Sequence, residues 1–379
     1  MKLCDLSCLY YPHGGGIKTY IDGKRSVYKT RNTPHILIAP NVNNQKKTEK
    51  TVDGSLAIYY LPSFKVVFGG TPYFIFRSFK DIRNVINQEK PEVIEIGDKI
   101  TTLLYKSKIK KLHQALPVKI FAFSHERADN FSQTVLNNKI LSRLFARLFI
   151  RRFAGAADAI IANSDFTGEE ILKFLPKDKV HVLKLGINTA DFSREICYDR
   201  NLYQKLSENG QKTLLIHVGR LDKDKKTELL VQIARELDEK KYKLIVVGGG
   251  GYENEIKAMP AVEFIGYIPH EEVKKYLAVS QLGVLVNNIE PYGLVGLEMM
   301  ALGLAVLGPN AGGLISFLKK DFAWLLPYDQ YAYLEALTEW QNLPAEKKEE
   351  ISRQARAAAE NYTLEKMTDR LIEIYQDHE

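Results

Sequence analysis

The chain has 379 residues, 45% of them hydrophobic and 26% charged, a soluble globular composition too long for one ordinary core, so two domains are expected. No apolar run reaches the roughly 18 residues that a membrane-crossing helix needs, and the start, Met1-Lys-Leu-Cys-Asp-Leu6, is too polar for a secretory signal. The net charge of +7 is uneven: residues 1–193 hold 30 Lys/Arg against 17 Asp/Glu while the rest is net acidic, so the first half should meet something anionic. Three cysteines, Cys4, Cys8 and Cys197, form neither a disulfide framework nor a metal or redox motif, and a reducing cytoplasm fits them best.

Residues 6–11 are a short apolar stretch, and Pro12-His13-Gly14-Gly15-Gly16-Ile-Lys-Thr-Tyr20 follows. A glycine-rich turn between strand and helix lets backbone approach a ligand closely. It is neither a G-x-G-x-x-G fingerprint nor a P-loop, because no Gly-Lys-Ser/Thr closes it. Residues 35–39 read as the second strand, and 41–53 as a polar loop. Further strands are expected at 92–96 and 118–123, the latter running into Ser124-His125-Glu126-Arg127. Ligands of open α/β sheets bind beyond the carboxyl ends of strands, which is where His125 falls. A structural hydrogen bond is the other reading of a single histidine. Lys139, Arg143, Arg147 and Arg151 recur every four residues along an otherwise apolar helix. That composition suits an anionic membrane surface, and equally an amphipathic helix with a solvated basic face. Residues 159–162 and 180–183 supply the last strands of this half, and the polar stretch 191–212 leads into the second domain.

There, residues 213–218 form a strand, followed by Gly219-Arg220-Leu-Asp-Lys-Asp-Lys225 and a helix over about 227–238. A strand at 243–247 ends in the glycines 248–251, and one at 262–265 ends at Gly266-Tyr267. The apolar run 282–286 then leads into Asn288-Ile-Glu290-Pro-Tyr-Gly293-Leu294-Val295-Gly-Leu-Glu298, after which Leu297, Met300, Ala301 and Leu304 keep helical spacing. Pro291 and Gly293 turn the chain sharply. A helix opening after such a turn offers free N–H groups and the positive end of its dipole to an anion. Glu290 in the loop and Glu298, about one and a half turns into the helix, flank that position. A last helix over 363–377 has Leu364, Met367, Leu371 and Ile374 on one face, with Thr363 as its N-cap. Strands alternating with helices in both halves indicate two doubly wound α/β domains whose glycine-rich turns face each other across a cleft.

Arg220 offers a planar fork of donors and Lys225 a point charge, a pair able to neutralise a diphosphate leaving group while the helix at Gly293 donates N–H bonds. Two cations in a lysine-rich loop could also be merely solvated. Asp222-Lys-Asp224 spells a D-x-D, but it lies among lysines in the proposed phosphate loop, and no second carboxylate cluster supports a metal. The residues by themselves point to a nucleotide-diphosphate cleft and leave the reaction open.

The ordered set of motifs resembles the retaining glycosyltransferases of family four, which have the GT-B architecture: two Rossmann-like domains facing across a cleft. Glu290 to Glu298 is similar to their E-x7-E signature, Gly219-Arg220-Leu with Lys225 to their G-R-L-x3-K loop, and Gly14-Gly15-Gly16 to their N-terminal glycine turn. Asn310-Ala-Gly-Gly313 also looks familial. Lys226 departs from the glycine usual after the loop lysine, and Gln281 from a common acidic residue. The segments Glu95-Ile-Gly-Asp98-Lys-Ile-Thr and Ser124-His125-Glu126-Arg127-Ala-Asp129 resemble GDP-mannose-dependent α-mannosyltransferases of glycolipid synthesis.

The resemblance implies that Glu290 holds the donor sugar and Glu298 the ribose. The N–H groups around Gly293, Leu294 and Val295 bind the distal phosphate together with Arg220 and Lys225. Gly15 and Gly16 approach the same phosphate, His125 contacts the transferred sugar, and Tyr267 borders the base. It further implies metal-independent retaining transfer with no cofactor besides the nucleotide-sugar substrate. The expected domains are 1–192, 193–358 and a C-terminal helix, 359–379, crossing back to the first. The acceptor is expected to be a lipid or glycan at a peripheral anionic membrane surface on the cytoplasmic side, with no nucleic-acid partner. Mannose from GDP-mannose is the first expectation, then glucose or an N-acetylhexosamine from UDP. An epimerase of the same architecture and a catalytically silent nucleotide-sugar-binding protein are the rivals.

Overall fold

A computed structural model describes residues 1–12, 15–43, 46–68, 71–127 and 139–377. It divides into two units, Met1–Gly186 with Leu364–Glu379, and Ile187–Thr363. The first unit ends before the expected 192 because Ile187 already belongs to the second: its N–H donates to the Tyr362 carbonyl at 2.9 Å, and Ile187 bridges Thr363.

The first unit is built on an eight-stranded sheet of β1 (Leu3–Leu6), β2 (His35–Pro40), β3 (Glu49–Asp53), β4 (Leu56–Leu61), β7 (Val93–Ile96), β8 (Lys119–Ser124), β9 (Ala159–Ala162) and β10 (Val180–Val182). The hairpin of β5 (Ser63–Phe68) and β6 (Thr71–Phe76) stands apart as its own two-stranded sheet. The large sheet runs β10-β9-β8-β7-β1-β2-β4-β3 and is parallel except for the β3–β4 pair. Its inner strands are buried on both faces, as strands covered by helices on both sides are, with Asp5, His35 and Glu95 as buried polar exceptions. Leu6, Ile36, Ile38, Ile94, Ile96 and Ile120 pack with residues of the helices Phe79–Glu89 and Lys99–Ala115.

Three features differ from expectation. Residues 49–53 form an edge strand, not a loop. Every residue of β3 is exposed, so the sequence carries no alternation to reveal it. The first strand is Leu3–Leu6, and residues 7–11 form the loop beyond it, where Ser7 N–H donates to the Ile38 carbonyl at 3.1 Å. The β5–β6 hairpin had no expectation at all.

The second unit carries a wholly parallel sheet of β11 (Thr213–Val218), β12 (Tyr242–Val247), β13 (Val262–Gly266), β14 (Leu282–Val284), β15 (Ala305–Pro309) and β16 (Ala323–Leu326), in the order β13-β12-β11-β14-β15-β16. Strand order reverses beside β1 in the first sheet and between β11 and β14 in the second, and such switch points open a crevice at the carboxyl ends. The helix Leu364–Asp377 returns to the first unit, burying Leu364, Met367, Leu371, Ile374 and Tyr375. Leu364 lies so close to the helix Gly15–Thr30 that a Cβ on Gly23 would come within 2.6 Å of it. Among the described residues, no helix is long and apolar enough to cross a membrane.

Candidate active site

In the second unit the switch point brings together the two segments that the sequence singled out. β11 runs into Gly219-Arg220 and β14 into 287–290, and there Lys225 Nζ donates to Glu290 Oε2 at 3.0 Å. Asn287 Nδ2 donates to the same oxygen at 2.7 Å. Gly293 then takes φ 87°, a left-handed conformation that glycine adopts without strain, and opens the helix Leu294–Ala301. The N–H groups of Leu294 and Val295 have no carbonyl one turn behind them inside the helix, and Gly293 has no side chain to cap them. Carboxylate, ammonium and helix N-terminus therefore occupy one edge of one sheet.

Arg220 is held by its own loop. Its Nη2 donates to Asp224 Oδ2 at 2.6 Å and its Nη1 to Asp222 Oδ2. The D-x-D carboxylates thus orient the arginine, and Asp222 Oδ1 also accepts from Gly251 N–H at 3.0 Å. Glu298 is 5% exposed and accepts from His270 Nε2 at 2.9 Å. This bond raises the proton affinity of His270 above its ordinary range against the opposing effect of burial. His270 opens the helix His270–Val279 and escaped the sequence reading, because a lone histidine at a helix start carries no motif. Tyr267, just past β13 on the same edge, is 78% exposed.

The glycines serve a purpose that the sequence reading had not assigned them. A Cβ on Gly248 would lie 1.9 Å from the Gly219 carbonyl oxygen, and one on Gly250 would lie 2.6 Å from the Leu221 oxygen. Leu221 N–H donates to the Gly249 carbonyl at 2.9 Å. The 248–251 run is therefore a backbone brace for the Arg220 loop. Gly313 does the same for the Glu290 loop: its N–H donates to the Glu290 carbonyl at 2.7 Å, and a Cβ there would fall 1.8 Å from the Pro291 oxygen.

The two departures from the family pattern also find explanations. Lys226 sits at φ 58°, ψ 32°, the left-handed conformation for which glycine is suited. Gln281 Oε1 accepts from Leu214 N–H at 2.7 Å, a task a carboxylate oxygen could also perform.

In the first unit, Gly15 (φ 55°) and Gly16 begin the helix Gly15–Thr30, and a Cβ on either would meet nothing within 4 Å. The preceding residues, His13 and Gly14, lie outside the described residues, as do Asp129 and the side chains of Lys139 and Arg143. His125 follows β8, stacked on Phe123 at 4.3 Å and edge-on to Tyr20 at 5.3 Å, with its backbone carbonyl held by Asn163 Nδ2 at 3.0 Å. Among the described residues, its buried Nε2 has no hydrogen-bond partner. Burial first, then the positive charges of Lys24 and Lys99, push its pKa down to about 3, so the ring is neutral at physiological pH.

Beneath it lies a network that the sequence did not announce. Buried Lys24 donates to Asp5 at 2.7 Å and to Glu95 at 2.5 Å. His35 Nε2 donates to Asp5 at 2.9 Å, and Tyr20 and Tyr375 donate to Glu95 at 3.1 and 2.6 Å. Despite burial, Lys24 and His35 hold the Asp5 carboxyl down to about 2. Asp98 caps the helix Lys99–Ala115 and accepts from Cys8 N–H at 2.8 Å. Glu95 and Asp98, two residues of the mannosyltransferase-like segment, are thus engaged internally.

Residues 14–191 match the family model described as Glycosyltransferase Family 4, and residues 199–358 match the one described as Glycosyl transferases group 1. The chain belongs to the family-four glycosyltransferases. An uncharacterized glycosyltransferase of Methanocaldococcus jannaschii is 26% identical over 182 residues, covering 44% of this chain and 47% of that relative's own length. The GDP-mannose-dependent alpha-(1-6)-phosphatidylinositol dimannoside mannosyltransferase of Mycobacterium tuberculosis is 24% identical over 334 residues, 85% of this chain and 82% of the relative. Anabaena HepE, solved in complex with UDP and glucose, superposes with a TM-score of 0.73 at 15% identity over 99% of both chains. That likeness establishes the GT-B fold of this family-four glycosyltransferase.

Proposed function

We propose that this family-four glycosyltransferase moves a hexose, with retention and without a metal, from a nucleoside diphosphate sugar to a membrane lipid or lipid-linked glycan. The observation that carries the reading is the meeting of Glu290, Lys225 and the N-terminus of the helix Leu294–Ala301 at the switch point of the second sheet. Glu290 accepts hydrogen bonds from hydroxyls of the donor sugar. Lys225, released from Glu290 toward the diphosphate, and Arg220, held by Asp222 and Asp224, neutralise the charge that develops on the leaving group. The N–H groups of Leu294 and Val295 donate to the distal phosphate. Glu298, aligned by His270, accepts from the ribose, and Tyr267 borders the base. Attack takes place on the face that the diphosphate leaves, and the departing phosphate takes the acceptor's proton. In the first unit, Gly15 and Gly16 leave room for phosphate. His125, neutral and with a free Nε2 among the described residues, hydrogen-bonds the transferred sugar rather than acting as an acid.

Mannose from GDP is the first donor to test, as in the mycobacterial relative. Glucose from UDP follows, as in the HepE complex. The internal engagement of Glu95 and Asp98 means that those segments report shared architecture more than donor choice. The membrane-lipid acceptor is supported by the glycolipid-making relative and the basic first half.

The test is thermal stabilisation by GDP, UDP, ADP and their sugars, with and without magnesium, followed by transfer assays on Glu290→Ala. One nucleotide stabilising without magnesium, with Glu290→Ala abolishing transfer but keeping nucleotide binding, is expected. Near-normal turnover of Glu290→Ala removes that residue from the site. Donor conversion without acceptor indicates an epimerase, and no stabilisation by any nucleotide a silent protein.

A further inference from the structure

The β5–β6 hairpin leaves the first sheet at the carboxyl end of β4 and forms a ribbon of its own, roughly 20 Å long at six residues a strand. An isolated two-stranded ribbon is marginal in water and ordinarily has one face covered. Here Val67 is 62% exposed, Phe64 40% and Val66 37%. Since Phe64 and Val66 alternate with Lys65 and Val67, apolar side chains are exposed on both faces. Such exposure marks an interaction surface.

The root of the ribbon is hydrogen-bonded and cationic. Ser63 Oγ donates to the Asn41 carbonyl at 2.8 Å, Arg77 Nε donates to the Ser63 carbonyl at 2.8 Å, and Asn41 Nδ2 donates to the Lys47 carbonyl at 3.0 Å. Lys46, Lys47, Arg77 and Lys80 are exposed around it, and residues 54–80 contain no Asp or Glu. Phe74 packs on Tyr11 at 5.4 Å, so the ribbon is tied to the loop that leads from β1 toward Gly15.

We propose that this ribbon is a bilayer anchor: Phe64, Val66 and Val67 enter the interface of an anionic membrane while Lys47, Lys65 and Arg77 meet lipid phosphates. Exposed apolar side chains along a ribbon with a basic root are an arrangement that binds an interface, each cation near an anionic surface adding to the partition. A second copy of the chain fits poorly, because it would bring the same positive root against this one. The anchor rests on the reading of a membrane-lipid acceptor. It is a different element from the basic helix Lys139–Ala154.

The experiment uses the full chain with phosphatidylcholine vesicles, with and without phosphatidylglycerol. The wild type is expected to co-sediment with the phosphatidylglycerol vesicles, and the F64S/V67S double variant to partition roughly tenfold less. In parallel, the emission of V67W should shift to the blue on those vesicles and be quenched by brominated acyl chains, a readout that needs no loss of fold. Wild-type partition of F64S/V67S, with unmoved V67W emission, overturns the anchor and leaves the membrane reading to the basic helix. Transfer to a detergent-dispersed lipid without vesicle binding overturns the anchor and retains the lipid acceptor. A concentration-dependent dimer abolished by F64S/V67S assigns the ribbon to protein contact and overturns the anchor.

Discussion

Gly313 is the most economical place to ask whether the Glu290 loop must be held where it is. In Gly313→Ala the new Cβ would lie 1.8 Å from the Pro291 oxygen, 2.4 Å from the Pro291 carbonyl carbon and 2.9 Å from the Tyr292 nitrogen. All three are backbone atoms, so no side chain can swing away. Ordinary contact begins near 3.4 Å, and one segment must therefore retreat by about 1.5 Å. Forced overpacking of this kind costs about 1–3 kcal/mol. Loss of the Gly313 N–H bond to the Glu290 carbonyl adds about 1 kcal/mol. A destabilisation of about 2–4 kcal/mol lowers the melting temperature of a unit this size by about 5–15 °C. The same retreat displaces Glu290, and misplacement by about 1 Å costs on the order of a hundredfold in rate. Calorimetry with initial rates of transfer measures both. A variant that melts with the wild type and keeps its rate would show that the loop does not depend on the glycine brace.

Gly16→Ala meets open space, so stability should hold or rise slightly while transfer falls; unchanged transfer would remove that turn from phosphate binding. Because the Glu298 bond raises the His270 pKa, the native state holds that proton more tightly than the unfolded chain. Its contribution is complete below the ordinary histidine range near 6.5 and disappears as pH rises through the raised value. The melting difference between wild type and His270→Gln should therefore be larger below about pH 6 than above about pH 8, and a pH-independent difference refutes the pairing. Lys24→Met leaves Asp5 and Glu95 buried without their cation and should cost about 3–5 kcal/mol in urea unfolding; a loss under about 1 kcal/mol would mean that the carboxylates find other partners. Lys226→Gly should stabilise by up to about 1 kcal/mol, since glycine occupies φ 58° without strain, and a destabilised variant contradicts that backbone assignment.

Strands such as Ala159–Ala162 and Thr213–Val218 were legible in the sequence because buried parallel strands are continuous apolar runs bounded by turn residues. β3 was not, being an edge strand without a buried face, and β5–β6 was not, because apolar residues on both faces of a ribbon give no alternation. Of the candidate site, the segments that hold Glu290, Arg220, Lys225 and Glu298 could be picked out because each motif is local in sequence. The Lys225–Glu290 bond joins residues far apart in the chain, and only the switch point of the sheet places them together. His270 and the bracing glycines escaped for a related reason: what each does is defined by the partner it meets across space. Lys24 reads as one more charge on a helix until Asp5 and Glu95 close around it.

The return of the helix Leu364–Asp377 has a consequence for synthesis. The second unit is one uninterrupted stretch whose ends are already bridged at Ile187 and Thr363, so it can fold as soon as that stretch has emerged. The first unit, although made first, cannot complete its interior until Tyr375 arrives to hydrogen-bond Glu95. Nascent chains ordinarily fold from the N-terminus onward. In this protein the later-made unit is positioned to finish first, and the earlier one must wait for the helix that follows it.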